Sequence, residues 1–154
     1  MSTAIEELYA LLVPLANERL IVPRACVAEV VRYSRPDHVA DAPPWYLGSF
    51  SWGGRDLPLV SFEAMLGAVV PEMSGRTRII VFHAIGHGLK TRFFGVVTQG
   101  FPQLVRVNPE VLKLEDPSRW DDASPVICQV RMINEYPLIP DLERLEDELH
   151  ALEA

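Results

Sequence analysis

Apolar residues along this chain come in short runs, each closed by glycine, proline or a small polar pair. The clearest stretch is Trp45 to Gly67, WYLGSFSWGGRDLPLVSFEAMLG. Tyr46 to Ser51 is an apolar, aromatic run and Leu57 to Phe62 is its return, with Pro58 where a ladder donor can be spared. Gly53-Gly54 between them predicts a two-residue hairpin turn of type I′, whose central residues both need positive φ. Ser61 to Leu66 has helix-start character and Gly67 ends it.

The same punctuation runs through the chain. Glu7 to Pro14 predicts a strand, Asn17-Glu18 a turn, and Arg19 to Val22 the return. Pro23 opens a short helical stretch and Ala28 to Tyr33 is strand-like. Residues 34–44, broken by Pro36, Pro43 and Pro44, form a loop. Ala68 to Arg76 reads as a linker. Arg78 to Ile85 is apolar on both faces, which predicts a central strand, and Gly86-His87-Gly88 turns it into Lys90 to Thr98. Leu104 to Val107 is a short strand, and Asn108-Pro109-Glu110 a cap leading to a single turn. A polar loop with Trp120 covers Glu115 to Pro125. Val126 to Ile133 alternates, with Val126, Cys128, Val130 and Met132 inward and Gln129 and Arg131 outward. Asn134-Glu135 turns it into Tyr136 to Ile139. Asp141 then caps a last helix whose Leu142, Leu145, Leu149 and Leu152 share one face.

About nine or ten short strands with little helix predict an all-β protein. Two small barrels, divided near residues 68–76, fill with side chains more easily than one wide barrel. The chain of 154 residues, 49% hydrophobic, is long enough for one such unit. Its net charge of −7 repels phosphate backbones and argues against a nucleic-acid partner. Cys26 and Cys128 lie far apart in apolar surroundings, as buried free thiols do. Glu6 and Glu7 stand where a signal peptide needs positive charge, and the Leu8 to Val13 run is too short to span a bilayer, so the expected location is cytoplasmic without membrane insertion.

Residues that could carry chemistry are sparse. His83 and His87 are four apart but sit in strand and turn without a completing ligand, so no metal is expected. Ser49 to Gly53 lacks the leading glycine of a nucleophile elbow, and Asp37, His38 and Asp41 read as a solvated loop. No phosphate-cradling glycine motif is present, and neither catalysis nor a cofactor is expected.

The order of these motifs resembles the CheW-like domain, the coupling protein of bacterial chemotaxis. That family carries a hairpin of the form L-G-x-x-N-x-R-G-x-x-x-P-x-x-D-L and a short helix ending in L-G. Leu47, Gly48, Gly54, Pro58, Leu66 and Gly67 match it. Arg78 to Val81 and Gly95 to Val97 resemble its following strands, and Val126 to Leu142 its last hairpin. The resemblance runs from about Glu7 to Leu145, so residues 1–154 read as a single such domain. Ser51, Gly53 and Ser61 stand where the family has Asn, Arg and Asp. The opening LVPLANERLIVPRACVAEVV is similar to CheW-like proteins of chemosensory pili systems, which act in twitching motility by type IV pili.

The resemblance implies two SH3-like five-stranded barrels around a shared core. It implies a receptor tip bound in the groove between them, and barrel-to-barrel pairing with the regulatory domain of a CheA-type histidine kinase. Val27, Glu29, Val30, Val31, Gly48 and Phe101 fall at or beside the implied groove, Gly48 as a position where a side chain would obstruct approach. Trp52 at the hairpin turn is either a partner anchor or folds back onto Trp45 or Phe50. The implied role is a non-catalytic adaptor, monomeric by itself, joining a chemoreceptor to the kinase. The family arginine replaced by Gly53 is associated with that coupling, which motivates a second reading as an accessory module that binds the kinase alone. A small-molecule sensing or catalytic barrel is the reading from a different class.

Overall fold

The computed structural model describes residues 8–108, 110–115, 124–132 and 134–153, so Trp120 and most of its loop lie outside the described residues. Eleven strands and two α-helices follow one another there. A hairpin, β1 (Leu8–Pro14) and β2 (Arg19–Pro23), comes first, and Pro23 leads into one 3-10 turn at Arg24–Cys26. β3 (Val27–Arg32), β4 (Tyr46–Trp52), β5 (Arg55–Val60), α1 (Phe62–Met65), β6 (Arg78–His83) and β7 (Phe93–Thr98) follow. β8 (Gln103–Val107), β9 (Lys113–Leu114), β10 (Val126–Arg131), β11 (Leu138–Pro140) and α2 (Leu142–Glu153) complete the chain.

Local chemistry accounts for the breaks. Gly53 and Gly54 have φ of 57° and 79°, so the two-residue turn pairs Trp52 directly with Arg55. Ser61 caps α1, its hydroxyl accepting from the Ala64 amide at 3.3 Å. Serine and aspartate are comparable N-caps, so the departure from the family residue at this position leaves the cap intact. Asp141 caps α2 by accepting from the Arg144 amide at 3.1 Å.

The strands assemble into two sheets, ordered β8-β1-β2-β11-β10-β9 and β3-β6-β7-β5-β4. The first joins the two ends of the chain and is here the terminal sheet; the second is inserted between them. Each curls into an SH3-like barrel, the terminal one with a sixth, two-residue strand beyond the five expected. The division expected near residues 68–76 is corrected: that segment joins α1 to β6 within the inserted sheet. The chain crosses between sheets at the Arg24–Cys26 turn and again between β7 and β8. A polar linker marks a loop, and strand pairing decides which sheet its ends belong to.

Alternate residues of the strands feed different cores. Ile79, Val81, Val97, Leu57, Leu59 and Phe50 fill the inserted barrel. Ala10, Leu12, Ile21, Val107 and Val130 fill the terminal one. Between the sheets lies a shared core: Val13, Leu20 and Val22 meet Val60, Ile80, Phe82, Phe94 and Val96, with Phe82 and Phe94 stacked at 5.4 Å. α2 adds Leu142, Leu145 and Leu149 to this layer, while Leu152 remains 41% exposed.

β10 departs from simple alternation. A bulge between Val126 and Cys128 sends Val126 to the shared core, while Cys128 and Val130 face the terminal barrel. Gln129, expected outward, is buried, and its Nε2 donates to the Tyr136 carbonyl at 2.8 Å.

Two buried carboxylates tie turns across the molecule. Glu63 on α1 accepts from the Ala16 amide and from Gln99 Nε2, each at 3.1 Å, linking the inserted sheet to the β1–β2 turn. Glu146 on α2 accepts from the amides of Ile85 and Gly86 at 2.6 and 2.8 Å, fixing the loop after β6. Substituting Glu146→Ala leaves two amides without their acceptor, and a loss of about 1–3 kcal/mol is expected in urea unfolding. A Cβ at Gly95 would come within 2.5 Å of the Phe50 ring and 2.8 Å of Ile79. Gly95→Ala is therefore expected to cost about 1–3 kcal/mol by overpacking, and an unchanged unfolding midpoint would contradict that packing.

Candidate functional site

The margin of the shared core reaches the surface where the two sheets meet. Leu11 of β1, Cys26 of the crossover turn, and Val27 and Val30 of β3 are partly buried and all pack on the shared core. β3 supplies this line because it is an edge strand, paired on one side with β6 and free on the other. Val31 turns the other way and packs against the interior of the inserted barrel. The valines named from the sequence are thus split between two cores, and Leu11 and Cys26 join two of them at the seam. The sequence signal for Leu11 is its alternation with Ala10 and Leu12, which puts it on the opposite side of β1.

Glu29 interrupts the apolar run of β3 for a visible reason. Val27 pairs with Phe82 and Glu29 with Val81, so Ala28 is an extra residue and β3 bulges there. The bulge restores alternation beyond it and frees one side chain from it. Glu29 is exposed, and its Oε1 accepts from Trp52 Nε1 at 3.0 Å. Trp52 folds back onto the interior of the inserted barrel, the cluster that includes Phe50, and its ring lies 4.9 Å from that of Phe93 on β7. His83 of β6 lies 5.3 Å from the same Phe93 ring. The Arg55 guanidinium stands 5.7 Å over it and donates to the Thr91 carbonyl at 3.1 Å. A half-exposed aromatic cluster therefore forms one end of the inserted barrel.

Gly48 has a structural role within this chain. It has φ of 122°, and a Cβ there would fall 2.0 Å from the Asp37 carbonyl oxygen. The space is filled by this chain's own loop, since Asp37 and Ser49 exchange backbone hydrogen bonds at 2.8 and 3.1 Å. Phe101 is 65% exposed, with the Arg78 guanidinium 4.8 Å over its ring. Arg78 pairs across from Arg32, the last residue of β3, so Phe101 sits beside the far end of that strand.

The thiols of Cys26 and Cys128 are free and half-buried. Burial pushes both up, with the Glu146 carboxylate a second cause at Cys26, so both stay protonated and poorly nucleophilic near neutral pH. Among the described residues no group of three or more His, Cys, Asp or Glu is placed to hold a metal. An open apolar hollow of about 660 Å³ lies at the mouth of the terminal barrel, between Tyr9, Ile21, Pro23, Val107 and Leu112.

Two small barrels set against one core, with an apolar seam between them, define a two-barrel module. The CheW-like domain model matches residues 9–148, and the chain belongs to this family. Its fold is similar to that of the scaffolding protein TtCheW from Thermoanaerobacter tengcongensis, with a TM-score of 0.75 at 17% identity over 90% of this chain and 86% of that one. No curated protein matches. No helix among the described residues is long and apolar enough to cross a membrane.

Because Asp37 occupies the space above it, Gly48→Ala is expected to lower stability by at least about 2 kcal/mol, through backbone strain and displacement of the 34–44 loop. Thermal unfolding checks this. A variant of unchanged stability would return Gly48 to the role of a gap kept open for a partner.

Proposed function

We propose that this protein is a cytoplasmic adaptor that links a methyl-accepting chemoreceptor to a CheA-type histidine kinase, in a chemotaxis or pili-type twitching-motility system. The observation that carries the reading is the apolar seam of Leu11, Cys26, Val27 and Val30, where a core shared by two barrels is left partly open beside an edge strand. A receptor cytoplasmic tip, a helical hairpin, would lay apolar side chains along that seam, with Phe101 at its margin. The kinase regulatory domain would meet the exposed end of a barrel. The role needs no bond to form or break: it holds two partners at a fixed separation, and several modest contacts add through their effective concentration. A receptor alters the kinase only so far as its contacts differ between signalling states.

A second reading follows from the β4–β5 turn. Gly53 stands at the family arginine, and Arg55, the nearest basic residue, is engaged with Phe93 and Thr91. On that reading the protein binds the kinase alone and caps or competes within arrays. Titration of the full chain against the kinase regulatory domain and, separately, against a receptor tip from the same cell distinguishes them. Binding to both supports the adaptor, binding to the kinase domain alone the accessory module, and binding to neither overturns both. Phe101→Ala removes a mostly exposed ring, so stability is expected to change by less than about 0.5 kcal/mol while tip affinity falls roughly tenfold.

A further inference from the structure

The inserted sheet has the order β3-β6-β7-β5-β4, which leaves β3 and β4 as its two edges. No backbone ladder joins them among the described residues, so the barrel has an open seam there. Two hydrogen-bonded contacts cross it among the described residues. At one end Asp37, in the loop leaving β3, exchanges backbone hydrogen bonds with Ser49 of β4. At the other end the indole of Trp52, the last residue of β4, donates to the Glu29 carboxylate on β3 at 3.0 Å. The same indole packs on Phe93 of β7, so it is held from below as well as from the side. The β3 bulge turns Glu29 out of the apolar alternation, and the two-residue turn fixes where Trp52 ends.

We propose that Glu29 and Trp52 form a side-chain clasp that closes the open seam of the inserted barrel and holds the β3 edge in position. Glu29 is then a positioning residue that acts through Trp52, and a partner that claims the indole N–H must first release Glu29. A donor–carboxylate bond between two strands that share no ladder adds a side-chain tie to the single Asp37–Ser49 backbone bridge. The clasp stands apart from the partner reading above, because it is tested on the isolated protein.

The test is a double-variant cycle on the full chain in urea, with Glu29→Ala, Glu29→Gln, Trp52→Phe and the Glu29→Ala/Trp52→Phe pair. Phenylalanine keeps a ring on Phe93 and removes the donor; glutamine keeps an acceptor oxygen. Each of Glu29→Ala and Trp52→Phe is expected to lower the folding equilibrium constant about fivefold. Glu29→Gln should restore most of that, and the double variant should fall no further than the worse single one. A second readout is the indole N–H of Trp52, whose hydrogen exchange should be slow in the parent and in Glu29→Gln and fast in Glu29→Ala. Additive losses, or an indole N–H that exchanges equally in all three, would overturn the clasp.

Discussion

The two sheets have to bury both of their faces, and that requirement shapes everything else in the molecule. One face of each sheet curls around its own interior; the other lies against the second sheet and α2. β6 and β7 therefore cannot be half polar, and Ile79 to Phe82 and Phe94 to Val97 are apolar on both sides without exposing apolar surface. The shared layer is also where the first and last thirds of the chain meet, since β1, β2 and β11 belong to the terminal sheet while β3 to β7 form the inserted one. Neither barrel presents a finished surface without the other.

Polar groups inside such an arrangement have to be satisfied, and two glutamates do this across long sequence distances. Glu63 joins α1 to the β1–β2 turn and to Gln99, and Glu146 joins α2 to the loop after β6. Both are about 5% exposed, and each buried carboxylate finds its partners in amides of distant turns. They fix the relation of the turns to the core, and so the outline of the seam. A scaffold works through the placement of its surfaces, and fixed turns are how this fold places them.

The surfaces themselves come from edges. β3 is free on one side, the β4–β5 hairpin ends in an aromatic cluster, and the terminal barrel opens on an apolar hollow. The first two adjoin through the Trp52–Glu29 hydrogen bond, while the hollow belongs to the other barrel.

The residue pattern by itself determined the strands other than the two-residue β9, the Gly53-Gly54 turn, the Ser61 and Asp141 caps and most of the inward face of α2, because these depend on side-chain period and on the φ that glycine allows. It also carried the family, through the order of motifs of modest individual weight. Only the tertiary structure decided which sheet each strand joined, because pairing such as Tyr9 with Arg106 is made between residues far apart in the chain. The bulges at Ala28 and in β10 were equally invisible, since an extra residue shows itself only against a partner strand. They moved Glu29 out to Trp52 and Gln129 into the interior. Gly48 shows the same limit: sequence marks a glycine that must stay small, and only the fold reveals that what fills the space is the carbonyl of Asp37.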